Sequence, residues 1–184
     1  MSKAALKKTL ALLSPEQKDQ LLLDLYSARK EAKEYLDFFV DPDIEKLVTA
    51  TCNSITREVY RKGKHGYNKP RITEIRNLIK KVATLNPGPE YVIQIMVSTI
   101  QTVANAASIG FWYTNAVADS FARITRETLI VANDAAMLDA TLNKINAIVD
   151  AMPNTVVRRA SRFMRAKLKD AISDGLSALT SAKT

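Results

Sequence analysis

Apolar residues recur at three- and four-residue spacing along most of the chain, a pattern that predicts amphipathic α-helices. Proline marks four of the predicted helix starts. In the stretch "SPEQ", Ser14 is the predicted N-cap, Pro15 takes the first helical position and Gln17 completes a capping box. The stretch "DPDIEKL" carries the same start signal, with Asp41 as the predicted cap and Pro42 as the first helical residue.

These signals divide the chain into a series of helices. The predicted helices run over about 2–13, 15–40 and 42–59, through 72–82, from 89 to about 110, through 117–124, through 137–149, and beyond Pro153. No window alternates apolar and polar residues between turn signals, so no β-sheet is expected. The predicted fold class is all-α, a bundle or stacked antiparallel hairpins of about seven to eight helices. The predicted core domain is 1–152, and a basic amphipathic helix at 153–184 is packed on it or appended to it.

The segment 91–118 contains no charged residue and is long enough to span a membrane. Its polar side chains nevertheless collect on one side of the helix. They are Gln94, Ser98, Gln101, Thr102 and Asn105. A lipid-facing helix rarely carries such a stripe, so the pattern favours a central helix packed on more than one side, and we expect no membrane span.

Charge changes this picture, because the net charge of +8 over 184 residues is concentrated in two segments. Residues 57–81 hold nine basic and two acidic side chains, and residues 155–184 hold seven and two. A basic surface on an otherwise near-neutral body is typical of proteins that bind an acidic partner. Nucleic acid and an anionic membrane surface both fit this description.

The first basic segment is "YRKGKHGYNKPR", residues 60–71, whose cations alternate with Tyr60 and Tyr67. Its candidate binding residues are Arg61, Lys62, Lys64, Lys69 and Arg71. Cations beside aromatic rings can hold a nucleic-acid backbone while a base stacks. The alternative is a solvated loop between two helices.

The last helix supplies the second basic segment. Its candidate residues fall within about 120° of helical arc and are Arg158, Arg159, Arg162, Arg165 and Lys169. A face of this kind can dock on phosphates, an anionic bilayer or an acidic protein groove. The alternative is a solvated face above a packed apolar one.

The sequence offers little for catalysis or metal binding. Nucleophilic catalysis normally needs a base, and the only histidine, His65, is predicted to lie on the surface of the basic loop. Cys52 is expected to be a small buried apolar residue. The acids of "DPDIEK" lack the glycine and the bidentate glutamate of a calcium loop. We therefore expect no enzyme, no cofactor and no metal.

Three functions follow as hypotheses. The first is a non-enzymatic helical module that binds an acidic partner, nucleic acid among them. The second is a protein–protein or self-assembly scaffold, suggested by the consecutive aromatic residues Phe111, Trp112 and Tyr113, which cannot all face one core. The third is docking of the last helix on a membrane surface.

A cytoplasmic location is expected, because one cysteine excludes an intrachain disulfide and the first apolar run is too short for a secretory signal.

The N-terminal half also resembles a known family. Residues 13–47, LSPEQKDQLLLDLYSARKEAKEYLDFFVDPDIEKL, followed by ITREVY and KPR, are similar to a family of bacterial all-helical proteins of unknown function. The likeness is good over about the first 85 residues and fainter to about 150. It implies helical architecture and a bacterial cytosolic setting, and it carries over no catalytic or binding residue.

Overall fold

The computed structural model describes residues 2–64, 66–111 and 113–181 and confirms the all-α fold class. In these ranges the elements are α1 (Lys3–Ala11), α2 (Pro15–Ala28), α3 (Lys30–Val40), α4 (Ile44–Val59), β1 (Lys62–Gly63), β2 (Gly66–Tyr67), α5 (Ile72–Leu85), α6 (Pro89–Ser108), α7 (Asn115–Asp134), α8 (Leu138–Asp150) and α9 (Arg159–Ser181). The chain forms two compact units, an N-terminal unit, Met1–Asp43, and a C-terminal unit, Ile44–Thr184.

Local capping signals begin the first two helices of the N-terminal unit, as the sequence predicts. The Ser2 hydroxyl accepts a hydrogen bond from the Ala5 amide at 3.2 Å. At the start of α2, the Gln17 amide donates to the Ser14 hydroxyl and the Ser14 amide donates to the Gln17 side chain, at 3.2 and 2.9 Å. This reciprocal pair is the predicted capping box.

The prediction of one helix from Pro15 to about Val40 is wrong, because the chain breaks at Arg29. That residue has extended backbone angles, φ −134° and ψ 117°. Across the break the Tyr26 hydroxyl donates to the Asp37 carboxylate at 2.8 Å and accepts from the Lys33 ammonium at 2.5 Å. These contacts hold α3 against α2, and the division raises the number of helices in the described residues to nine.

The predicted start of α4 is also displaced. Asp41 is the C-cap residue of α3 rather than the N-cap of the next helix, and α4 begins at Ile44, two residues after Pro42. The Asp43 amide donates to the Asp41 carbonyl at 3.0 Å, which folds residues 41–43 into a tight turn. The acids of "DPDIEK" therefore precede the helix or occupy its first turn, where they face the positive end of its dipole.

The C-terminal unit is a bundle with α6 at its centre. This helix packs against each of α4, α5, α7, α8 and α9. Its apolar side chains are buried on several sides, whereas Gln94 and Asn105 from the polar stripe are exposed. Buried threonines satisfy their hydroxyls within the helices, as Thr99 does by donating to the Ile95 carbonyl at 2.8 Å. The sequence thus identified the central helix correctly.

The last helix packs on the bundle and belongs to the same compact unit, Ile44–Thr184. On the apolar face of α9, Met164 and Leu168 are fully buried. Its main neighbour is α7. Gly175 permits this close approach, since a Cβ atom there would lie 2.9 Å from a methyl group of Leu129.

The connection between α4 and α5 contains the one antiparallel ladder in the described residues. Lys62 faces Tyr67 and Gly63 faces Gly66 in the short strands β1 and β2. Gly66 has φ +122°, a conformation that glycine adopts without strain. The sequence predicts no β-sheet at this position, because two residues per strand are too few to show alternation.

Candidate functional site

The ladder of β1 and β2 projects the first basic segment from the end of the bundle. At its base the Arg71 guanidinium donates two hydrogen bonds to the Glu58 carboxylate, from Nε at 2.9 Å and from Nη2 at 2.6 Å. These bonds hold the pKa of Glu58 below its usual value. The Asn68 amide donates to the Arg61 carbonyl at 2.8 Å and closes the ladder further out. The segment is therefore a braced hairpin rather than an unstructured loop.

Aromatic contacts fix this hairpin to the corner between α6 and α7. The Phe111 ring lies 5.2 Å from the Tyr60 ring, edge to face, and 4.2 Å from the Tyr67 ring, with both distances between centroids. Tyr60 and Phe111 are half-buried, whereas Tyr67 is 57% exposed. Part of the predicted aromatic cluster thus secures the hairpin, and Trp112 lies outside the described residues.

Tyr113 lies beneath this corner. It is buried, packs edge to face on Phe121 with centroids 5.8 Å apart, and its hydroxyl has no hydrogen-bond partner among the described residues. Burial raises the pKa of the Tyr113 phenol far above its usual value. Arg61, half-buried at the start of the hairpin, likewise has a buried Nε atom without a described partner. Two unsatisfied polar atoms therefore lie at this end of the bundle.

The hairpin and the corner enclose an open cleft of about 410 Å³. Tyr67, Lys69 and Pro70 line it from the hairpin side, and Phe111, Tyr113 and Val117 line it from the corner. No carboxylate of a described residue lines it. Such a cleft combines an apolar surface, an exposed ring and one cation, a combination that favours a flat anionic ligand.

The direction of α9 determines where the second basic segment lies. Lys167 binds Asp119 at 2.7 Å and Arg126 binds Asp174 at 3.2 Å. Both pairs are separated by 48 residues, so α7 and α9 run parallel. Arg159, eight residues before Lys167, lies about 12 Å further along the axis at 1.5 Å per residue. The start of α9 is therefore level with the corner before α7.

The two basic segments consequently lie at the same end of the C-terminal unit. We call this the basic end and define it by its three connections, 60–71, 109–114 and 151–158. None of these connections contains an aspartate or a glutamate. At the opposite end, Glu90, Asp134 and Asp139 flank the connections that join α5 to α6 and α7 to α8.

The candidate residues of α9 divide into two groups. Arg165 and Lys169 both bind Asp150, the last residue of α8, at 3.0 Å. Arg165 also donates from Nε to the Val149 carbonyl at 3.0 Å. The hydrogen bond from Lys169, with help from Arg165, lowers the pKa of Asp150. These two cations fasten α9 to α8, so they are structural residues rather than free binding residues.

Six of the ten candidate cations are exposed and form no ion pair with another described residue. They are Lys62, Lys64, Lys69, Arg158, Arg159 and Arg162. On α9, Arg159 and Arg162 border a shallow groove with Val156, Phe163 and Ala166. The remaining four, Arg61, Arg71, Arg165 and Lys169, are half-buried or paired.

The structure also bears on the residues considered for catalysis and metal binding, and on the possibility of a membrane span. Cys52 is half-buried against the core, and His65 lies outside the described residues. Within 2–64, 66–111 and 113–181, no group of three or more histidine, cysteine or acidic side chains is placed to hold a metal ion. No helix in these ranges is both long and apolar enough to cross a membrane. On α9 the apolar side chains Met164, Leu168 and Ala171 are buried in the bundle, whereas Val156 and Val157 before it are exposed.

Comparison with known proteins identifies a family. The model of a family of unknown function (DUF6155) matches residues 1–165 of this chain. The match includes the hairpin and the first two turns of α9, and therefore both parts of the basic end. No curated protein and no solved structure matches the chain significantly.

Proposed function

The chain belongs to this family of unknown function (DUF6155), and we propose that it is a non-enzymatic module that binds nucleic acid with its basic end. One observation carries the proposal: six exposed cations from two distant segments form no ion pair with another described residue and lie at the end whose three connections contain no acid. A bacterial cytoplasmic setting, which the N-terminal resemblance implies, is part of the same proposal.

Phosphate contacts explain why such an arrangement favours nucleic acid. Each lysine or arginine that neutralises a phosphate releases condensed counterions, and this release supplies much of the binding free energy. Exposed cations without ion pairs lose no internal partner when they bind a phosphate. The acids Glu90 and Asp139 lie near the opposite end of the C-terminal unit, away from the basic end.

A salt titration of binding tests the proposal. Fluorescence anisotropy would follow labelled single-stranded and duplex DNA and RNA as protein is added at increasing salt. If all six cations contact phosphates, a plot of the logarithm of the association constant against the logarithm of the salt concentration should have a slope of about −4 for a single strand. Absence of binding to every one of these nucleic acids at low salt would contradict the proposal.

Matched charge variants locate the surface. We expect the triple variant Lys62→Gln/Lys64→Gln/Lys69→Gln to reduce the magnitude of this slope by about 2. The triple variant Arg158→Gln/Arg159→Gln/Arg162→Gln should have the same effect. The control Lys80→Gln/Arg123→Gln/Lys144→Gln removes three exposed cations from the helices of the C-terminal unit and should leave the slope unchanged. An equal effect of all three variants would show that binding reflects net charge alone.

A second candidate function, self-association, is favoured by the N-terminal unit. None of its described residues is buried. In α2 the consecutive Leu21, Leu22 and Leu23 are 38%, 49% and 61% exposed, and Phe39 of α3 is 74% exposed. Apolar surface of this kind is typical of an interface. Light scattering tests it, because a strictly monomeric protein at high concentration would exclude a second copy as the partner.

A further inference from the structure

The cleft between the hairpin and the corner of α6 and α7 suggests which form of nucleic acid the basic end takes. We infer that this cleft receives one unpaired base of a single-stranded nucleic acid, stacked on Tyr67. The inference rests on the proposed function and makes it more specific. It starts from the position of Tyr67, the one exposed ring among the described residues of this corner.

Tyr67 is held as a stacking platform. Its ring contacts Phe111 at 4.2 Å between centroids with a tilt of 50°, yet 57% of the residue remains exposed. Phe111 is in turn supported by Tyr60. A ring that is already braced loses little conformational freedom when a base stacks on it. The aromatic contacts thus preorganise Tyr67 while leaving part of its surface to the ligand.

Cations stand where the phosphates beside such a base would lie. Lys62 is the direct cross-strand partner of Tyr67, and directly opposed residues of an antiparallel ladder project to the same face. Lys69 lines the cleft itself, two residues further along the chain. Both are exposed, and neither forms an ion pair with a described residue. A stacked base would therefore have a cation beside it in two directions.

The shape of the cleft favours a single strand over a duplex. Its volume of about 410 Å³ and its apolar wall of Phe111 and Val117 suit a planar group that enters edge first. A base within a duplex is stacked on both faces and paired at its edge, so it must be unstacked before it can enter. An unpaired base enters without that cost. A peptide of aspartate and glutamate would supply the charge but no planar ring for Tyr67.

The test distinguishes stacking of a base from contacts with the phosphate backbone. Three ligands of equal length are compared by anisotropy at one salt concentration: an oligothymidylate, an abasic oligomer with the same phosphates, and a duplex. We expect the oligothymidylate to bind about tenfold more tightly than the abasic oligomer. Tyr67→Leu, which keeps an apolar contact with Phe111 but has no ring, should lose about that tenfold difference. Tyr67→Phe should retain it.

Each other outcome has a distinct meaning. Equal affinity of wild-type protein for the oligothymidylate and the abasic oligomer would overturn the inference and leave the proposed function standing. If the Tyr67→Leu variant bound the oligothymidylate as tightly as wild type, the inference would also be overturned and the proposed function would stand. If Tyr67→Leu weakened all three ligands equally, Tyr67 would support the hairpin instead of a base, which also overturns it. Failure of all three ligands to bind at low salt would contradict the proposed function itself.

Discussion

At the scale of single residues, Tyr113 is the least expected side chain of the basic end. A phenol buried among apolar residues normally finds a hydrogen-bond partner, and an unsatisfied hydroxyl destabilises the folded state. The Tyr113 hydroxyl has none among the described residues. The adjacent Phe121 supplies an edge-to-face contact that a phenylalanine at position 113 would keep.

We therefore expect Tyr113→Phe to stabilise the protein, by about 1 kcal/mol in the free energy of unfolding. Urea denaturation followed by circular dichroism would measure the change. Phe121→Ala is the contrasting variant, since it removes a buried ring and should destabilise by about 3 kcal/mol or more. A loss of stability in Tyr113→Phe would show that the hydroxyl has a partner after all.

Single residues also show where sequence reasoning fails. The periodicity of α9 correctly places Arg165 and Lys169 on a polar face. It does not show that Asp150, 15 residues before Arg165 in the chain, meets both of them. A helical pattern gives the direction in which a side chain points but not the neighbour it finds there. The six unpaired cations could be separated from the four others only once the packing was known.

At the scale of the element, ion pairs join the end of α8 to the first half of α9. Asp150 lies at the end of α8 and carries both contacts to α9. Its pKa is lowered by Lys169 and Arg165, so its contribution to stability is present above the ordinary aspartate value of 3.8 and is lost as the pH falls through the lowered value. This arrangement makes the junction sensitive to acid.

Asp150→Asn should consequently lower the melting temperature near neutral pH. The difference from wild type should shrink as the pH falls below 3.8, because the wild-type carboxylate then becomes protonated. Thermal melts across this pH range, followed by circular dichroism, would check both parts. Asp170→Asn, an exposed position on α9, is the control and should differ little from wild type throughout. A difference that persisted unchanged in strong acid would rule out this explanation.

The starts of α2 and α6 were predictable from local signals, although the same kind of signal at Asp41 and Pro42 misplaced the start of α4 by two residues. Features that depend on distant contacts were not predictable. Ser14 with Pro15 begins α2, and Pro89 begins α6, as their sequences indicate. No proline or glycine lies at the break at Arg29, so no local signal predicts it. The contacts found across it join Tyr26 of α2 to residues of α3. The hairpin was missed for a related reason: its strands are brief, and its bracing comes from Phe111, more than forty residues after Tyr67.

At the scale of the whole molecule, burial is confined to one unit. Every buried side chain in the described residues belongs to the C-terminal unit, and the helices of the N-terminal unit have none. Apolar burial is the main source of folding stability. The C-terminal unit therefore contains the core that determines the cooperative unfolding of the protein.

We expect residues 44–184 alone to fold and to melt within about 3 °C of the full chain, because the transition reflects loss of the same core. Circular dichroism melts of both proteins would measure this. Limited proteolysis of the full chain should in parallel yield a stable fragment that begins near residue 44. A fragment that is unfolded at room temperature would show that the N-terminal unit is required for the core.

The meeting of the two basic segments at one end belongs to this largest scale. Periodicity and charge counts identified both segments, and the resemblance of the N-terminal half to a helical family agreed with the fold. Antiparallel packing of successive helices, as predicted, implies that α9 runs parallel to α7, but neither the periodicity nor the resemblance shows that α9 packs directly on α7. The pairs Lys167–Asp119 and Arg126–Asp174 settle the direction.

The parallel arrangement of α7 and α9 also has a consequence for folding kinetics. Two antiparallel helices can zip together from the short loop that joins them, but α9 can dock on α7 only after α8 has crossed the length of the bundle. Each of the ion pairs between α7 and α9 spans 48 residues of chain. Contacts of high sequence separation form late because their loop-closure entropy must be overcome first. Docking of α9 should thus follow the transition state for folding, and mutations such as Leu168→Ala should mainly accelerate unfolding.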